Sequence, residues 1–178
     1  MFAAMNGTKA IIFDMRGYPY GTGWSIAPRL NTNKATVGAI FRRPQLSESA
    51  DFETRTTFSF EQALPKTKGA IYKGRTVMLI DERAMSQAEY TGLLFEAANG
   101  TRFIGSNSAG AVGDRPTMVL PGGIYVSFTG HDVRHTDGRQ VQRIGLVPDV
   151  ALRPTIAGIR QGRDEVLERA IAYINSGR

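Results

Sequence analysis

The stretch GRTVMLIDERAMSQAEYTGLLFEAANGTRFIGS, residues 74–106, decides how this chain folds. It opens on GRTVMLID (74–81), a short apolar run with the composition of a buried strand. A helix is expected from about Ser86 to Ala98, with Leu93, Leu94 and Ala97 on its apolar side. NGTRFIGS (99–106) then supplies a glycine helix stop and another short strand.

Outward from this centre the alternation continues. KAIIFDM (9–15) reads as a buried strand, and it ends in RGYPYGTGW, where closely spaced glycines force a loop. APRL (27–30) closes a short helix, and KATVGAIFRRP (34–44) reads as a strand that Pro44 terminates. Residues 45–70 are polar with little periodicity, and TRTTFSFEQA within them suggests an edge strand or an extended loop. TMVLPGGIYVSFTG (117–130) has the form of a hairpin turning at Pro121-Gly122-Gly123, and VPDVALRP (147–154) that of a last extended segment. In GRDEVLERAIAYI (162–174), Val166, Leu167, Ala170, Ile171 and Ile174 line one face of an amphipathic helix. Strands alternating with helices predict a mixed α/β domain spanning residues 1–178, with no repeat and no linker.

Composition narrows the function. A chain of 178 residues, 42% of them hydrophobic, is long enough for one well-filled core. The net charge of +6 comes from scattered single Arg and Lys, which reads as a solvated basic surface and not as a nucleic-acid site. With no cysteine, disulfides, thiolate metal sites and cysteine nucleophiles are excluded. No apolar run approaches membrane-spanning length. The glycine loop lacks a Walker lysine and no helix-spaced ligand pair is present, so neither a cofactor nor a metal is expected.

Ser86 admits two readings. With Glu89 three residues on and an apolar helix following, it forms a capping box, worth about 1 kcal/mol. The same position, between a buried strand and a helix, lies at the carboxyl edge of the sheet, where α/β folds bind ligands. Main-chain N–H groups there can hold an oxyanion. A serine hydroxyl still needs a base to become a nucleophile, and the local pattern supplies none.

The wider sequence resembles the tail-specific (carboxyl-terminal-processing) and tricorn-core serine proteases. FDMRGYPYGTG (13–23) is similar to their DLRGNPGG loop, and residues 79–114 to their NxxSASASE…GxxTxGxG block. LPGGIYV (120–126) and IGLVPDVAL (144–152) are similar to the later LPxGxxV and GVxPDV elements, all four in register. The resemblance implies an α/β fold of the ClpP/crotonase type, a mixed sheet with flanking helices. It implies a serine peptidase with Ser86 as nucleophile, Gly21 and Gln87 amides as the oxyanion hole, and Glu89 as a positioning group. Peptide or unfolded protein is the implied substrate, and a homo-oligomer and an extracytoplasmic location, periplasmic or secreted, fit such relatives.

Two departures follow. The lysine base of the tail-specific pattern is replaced by Ala111, which cannot take a proton. Near the glutamate of the tricorn-like triad stand Gln142 and Arg143, and the histidine of that triad precedes the first core strand in such proteases. Only His131 and His135 are available here, with Asp132 or Asp137 as local partners, so they are the weaker candidates for the base. The expectation is a catalytic core belonging to a longer polypeptide, with an upstream segment carrying the base. The alternative is a non-catalytic domain of the same fold that binds an extended peptide by β-augmentation.

Overall fold

Residues 2–44 and 57–176 are described by a computed structural model. The chain begins with α1 (Phe2–Met5), β1 (Ala10–Asp14), α2 (Gly23–Leu30), β2 (Val37–Pro44) and β3 (Thr57–Ala63). β4 (Arg75–Ile80), α3 (Gln87–Asn99) and β5 (Arg102–Gly105) follow as the strand–helix–strand centre. β6 (Thr117–Leu120) and β7 (Ile124–Ser127) make a hairpin, and β8 (Asp132–Arg134), β9 (Val150–Ala151), α4 (Ile156–Arg160) and α5 (Glu165–Ser176) complete the order.

β4 is buried from Thr76 to Ile80 because helices cover both faces of its sheet, as parallel sheets require. Alternation along the strand sends Met78 and Ile80 to one core with Leu93, Leu94 and Phe95. Val77 and Leu79 go to a second, smaller core with Val166, Ala170 and Ile174. The sheet runs β1-β4-β5-β9, every neighbouring pair parallel. A separate antiparallel sheet, β3-β2-β8, packs against α3 through β2. The mixed α/β fold read from the sequence is therefore the fold of the protein.

Details depart from the sequence reading where a residue's surroundings come from far along the chain. α3 lies between the sheet, α2 and β2, so Thr91, Gly92, Phe95 and Ala98 are buried as well as Leu93 and Leu94, while Ala97 is half-buried. On α5, Leu167 and Ile171 lie outside the buried stripe and are exposed. TFSFEQA (57–63) is an edge strand, and the first three residues of TRTTFSFEQA fall outside the described residues, as does the stretch 45–56. Among the described residues no helix is long and apolar enough to cross a membrane.

Candidate active site

The carboxyl ends of β1 and β4 lead into the two segments that build the site: the glycine loop after β1 and the turn before α3. Ser86 stands between that turn and the helix with φ +52 and ψ −109. This conformation lies outside even the small left-handed basin open to non-glycine residues, and costs about 1–3 kcal/mol. A capping role does not require it, since an N-cap residue ordinarily adopts extended backbone angles. The hydroxyl lies over the Glu89 amide in the capping-box arrangement, yet it makes no close capping hydrogen bond. A strained strand-to-helix turn that lifts a serine oxygen off the sheet is the device hydrolases use to present a nucleophile.

Main-chain bonds hold that strain in place. The Ser86 N–H donates to the Ala111 carbonyl and to Glu89 Oε2, each at 3.0 Å, and the Tyr90 N–H donates to the Ser86 carbonyl at 3.0 Å. Glu89 is wholly buried, and its carboxylate is satisfied on both oxygens. Oε1 accepts from the Ser108 hydroxyl and the Gly110 N–H, each at 2.6 Å, and Oε2 also accepts from the Ala111 N–H at 3.0 Å. A buried carboxylate with four donors is a clamp that fixes the start of α3 to residues 108–111, in keeping with a positioning role. Gly110 sits at φ +68, and a β-carbon there would lie 2.8 Å from the Arg143 carbonyl carbon, so only glycine lets the two loops close on each other.

Ser108 is the residue the sequence reading missed. Its hydroxyl donates to Glu89 and accepts from the Leu146 N–H at 2.6 Å, while the Arg143 N–H donates to the Gly110 carbonyl at 2.7 Å. Segment 141–146 is thereby tied to the loop that carries Ala111. The small-residue run NSAGAVGD signalled a tight loop but not which of its residues turned inward.

Ser86 and Gln87 form part of the lining of a cleft of about 600 Å³, walled by Tyr18, Trp24, Phe41, Phe60 and Tyr90. The rings of Trp24 and Tyr90 lie 5.3 Å apart and those of Phe41 and Tyr90 5.9 Å apart, so the wall is continuous. Burial pushes the Tyr90 phenol well above its ordinary pKa, which keeps it a neutral hydroxyl. Ala111 also lines the cleft, so the position of the tail-specific lysine is brought beside Ser86 and presents only a methyl group there.

The two expected oxyanion donors lie on segments joined by one hydrogen bond. Gln87 is the first residue of α3, and its N–H has no acceptor within the helix. Gly21, at φ +82, donates its N–H to the Gln87 side-chain Oε1 at 2.6 Å.

The histidines go elsewhere. His135 is buried, and its Nδ1 pairs with the Glu96 carboxylate, which also accepts from Arg139 at 2.8 Å. His131 Nδ1 lies 3.1 Å from Asp114 Oδ2, with its ring against Phe41 and Phe60. His135 is thus hydrogen-bonded to Glu96 and not to Asp137, whereas His131 Nδ1, within ion-pair distance of Asp114, is buried with no hydrogen-bond partner among the described residues. They flank β8, which pairs with β2, and neither hydrogen-bonds to Ser86. Gln142, in the segment where the resemblance places the triad glutamate nearby, keeps a buried Oε1 with no hydrogen-bond partner among the described residues. Among these residues no cluster of three or more His, Asp or Glu converges as a metal site.

A parallel sheet whose carboxyl edge carries a glycine loop and a strained, helix-capping serine is the architecture of an α/β peptidase core. The chain belongs to peptidase family S41, whose sequence model matches residues 2–152. No curated protein matches the chain at the level of sequence. Among solved structures, a candidate peptidase from Parabacteroides merdae is similar with a TM-score of 0.81 and 20% identity, over 97% of this chain and 54% of that one. Mature CPAF, complexed with lactacystin, gives 0.74 and 16% over 96% of this chain and 45% of its own. The photosystem II D1 C-terminal processing protease gives 0.58 and 18%, over 87% and 37%. At these identities the likeness is one of fold, and the chain spans about half the length of the first two.

Proposed function

We propose that this chain is the nucleophile-bearing core of a serine peptidase that hydrolyses peptide bonds in peptide or unfolded protein substrates. The observation that carries the reading is the backbone of Ser86, held at φ +52 on the lining of an open cleft by a fully satisfied buried glutamate. Membership of family S41 supports it.

In this reading Ser86 Oγ attacks the scissile carbonyl carbon while its proton passes to a general base. The carbonyl oxygen becomes an oxyanion held by the Gly21 and Gln87 N–H groups. Collapse breaks the C–N bond, the leaving amine takes the proton, and water then releases the acyl group as a carboxylate and restores Ser86. The base then comes from outside the described residues, because Ala111 cannot serve, His135 is engaged with Glu96, and neither histidine hydrogen-bonds to Ser86.

A second reading, a non-catalytic peptide-binding domain, is favoured by the lack of a base at Ser86 among the described residues. One comparison separates the two. The natural full-length polypeptide and its Ser86→Ala form are treated with a fluorophosphonate and with casein. The peptidase reading expects labelling at Ser86 and casein cleavage, both abolished by the substitution. Labelling at another residue, or cleavage that survives Ser86→Ala, defeats it. Peptide binding without cleavage in either form selects the second reading.

A further inference from the structure

We propose that the Gln87 side chain is an internal ligand of the oxyanion hole: its amide oxygen occupies the Gly21 N–H that a substrate carbonyl would use, and must swing away before substrate is held. The inference rests on the assignment of the Gly21 and Gln87 amides to that hole, made above.

The hydrogen bond is short, 2.6 Å, and joins residues 66 apart, linking the glycine loop directly to the first residue of α3. The loop is shaped to present this amide. Tyr20 and Gly21 have successive positive φ values, +47 and +82, and Tyr20 is 88% exposed, so burial of its side chain does not impose that shape. A part-buried N–H without an acceptor is costly, and the Gln87 carboxamide removes the cost while the cleft is empty. One residue thus supplies a main-chain donor to the hole and a side-chain oxygen that occupies the other donor. The consequence is competition. A carbonyl reaching the hole must compete with the Gln87 oxygen for the Gly21 N–H. Gln87 is therefore a positioning residue that acts through Gly21, keeping the loop in register at the expense of affinity.

Two variants separate this from ordinary packing, and neither alters the N–H of residue 87. Gln87→Met keeps the length of the side chain and loses the strong acceptor. Gln87→Glu suits the first turn of a helix, bonds the Gly21 N–H more strongly through its charge, and sets that charge against a developing oxyanion. Both are made in the full-length polypeptide, and fluorophosphonate labelling of Ser86 is timed. In that step the Ser86 Oγ–P bond forms, the P–F bond breaks, fluoride leaves with the serine proton taken by the base, and the phosphoryl oxygen enters the hole.

Release of one neutral hydrogen bond predicts labelling about three- to tenfold faster in Gln87→Met, and Gln87→Glu is expected to slow it by about tenfold or more. In the 15N-labelled protein the Gly21 amide proton is expected to move upfield and exchange faster in Gln87→Met, and to move downfield in Gln87→Glu. A structural Gln87 would slow labelling in both variants, and that result overturns the proposal. A Gly21 resonance unmoved by Gln87→Met overturns it at the hydrogen bond itself, while labelling of Ser86 keeps the peptidase reading. The expected amide shifts without labelling in any form sink the peptidase reading, and the proposal with it.

Discussion

At position 86 a serine occupies a backbone conformation that glycine adopts without strain, with φ +52 and ψ −109. Its role as a helix cap does not account for this, because replacing a capping serine by glycine costs only a few tenths of a kcal/mol. Removing the β-carbon should therefore relieve more than it loses. Strain of about 1–3 kcal/mol, less about 0.4–1 kcal/mol for the freer unfolded chain, leaves Ser86→Gly more stable by about 1 kcal/mol. For a chain of this length that is a rise of about 2–4 °C in melting temperature. Ser86→Ala keeps the strain and should show no such rise, although both variants lose fluorophosphonate labelling. Paired thermal melts check this, and a Ser86→Gly protein that melts below wild type would remove strain from the account of the site.

Between elements, the start of α3 and the loop 108–111 behave as one unit because Glu89 joins them. The sequence reading recovered one of its four donors, the Ser86 N–H, since a capping box is local and lies within four residues. The Ser108, Gly110 and Ala111 donors come from 19 to 22 residues away, and no periodicity announces such a pairing. β8 and α4 escaped notice for a related reason. β8 has three residues and is held by pairing with β2, and α4 is a short helix capped by Thr155. β4 and α3 were legible because their apolar residues satisfy a period that depends on local geometry alone. Glu89→Gln should test the unit as a whole. It replaces one acceptor oxygen with an NH2 group facing main-chain donors, leaving at least one buried N–H unpaired, and is expected to cost about 2–4 kcal/mol. Urea denaturation should show a lower midpoint with an unchanged slope. A loss below about 1 kcal/mol would mean that the carboxylate is not what holds the two segments together.

Across the whole molecule, one ion-pair cluster links the glycine-loop end of β1 to the C-terminal helix layer. Arg16 donates to Asp14 and, 148 residues away, to both oxygens of Asp164 at 2.8 and 2.6 Å. Asp164 also accepts from the Leu167 N–H at the head of α5, at 3.0 Å. The Arg16 guanidinium holds the Asp164 and Asp14 carboxyls below their ordinary values near 3.8. A carboxyl whose pKa is depressed on folding contributes stability above its unfolded pKa, and that contribution fades as pH falls through the folded value. Asp164→Asn removes the charge while keeping an acceptor for the helix cap, because asparagine caps as well as aspartate. With Asp164 partly exposed, solvent screening limits the effect, and the variant should be less stable by about 0.5–1 kcal/mol at neutral pH. That gap should hold down to about pH 5 and close progressively below about pH 4, where the wild-type carboxyl begins to protonate as well. Urea midpoints for both proteins, measured at intervals from pH 7 to pH 2.5, give the curve directly. The general acid destabilisation expected of a chain with net charge +6 cancels in the difference, because one charge among many separates the two proteins. A gap that stays constant to the lowest pH, or widens on acidification, would show that Asp164 acts through the cap alone and that the Arg16 cluster does not couple α5 to the loop beneath the active site.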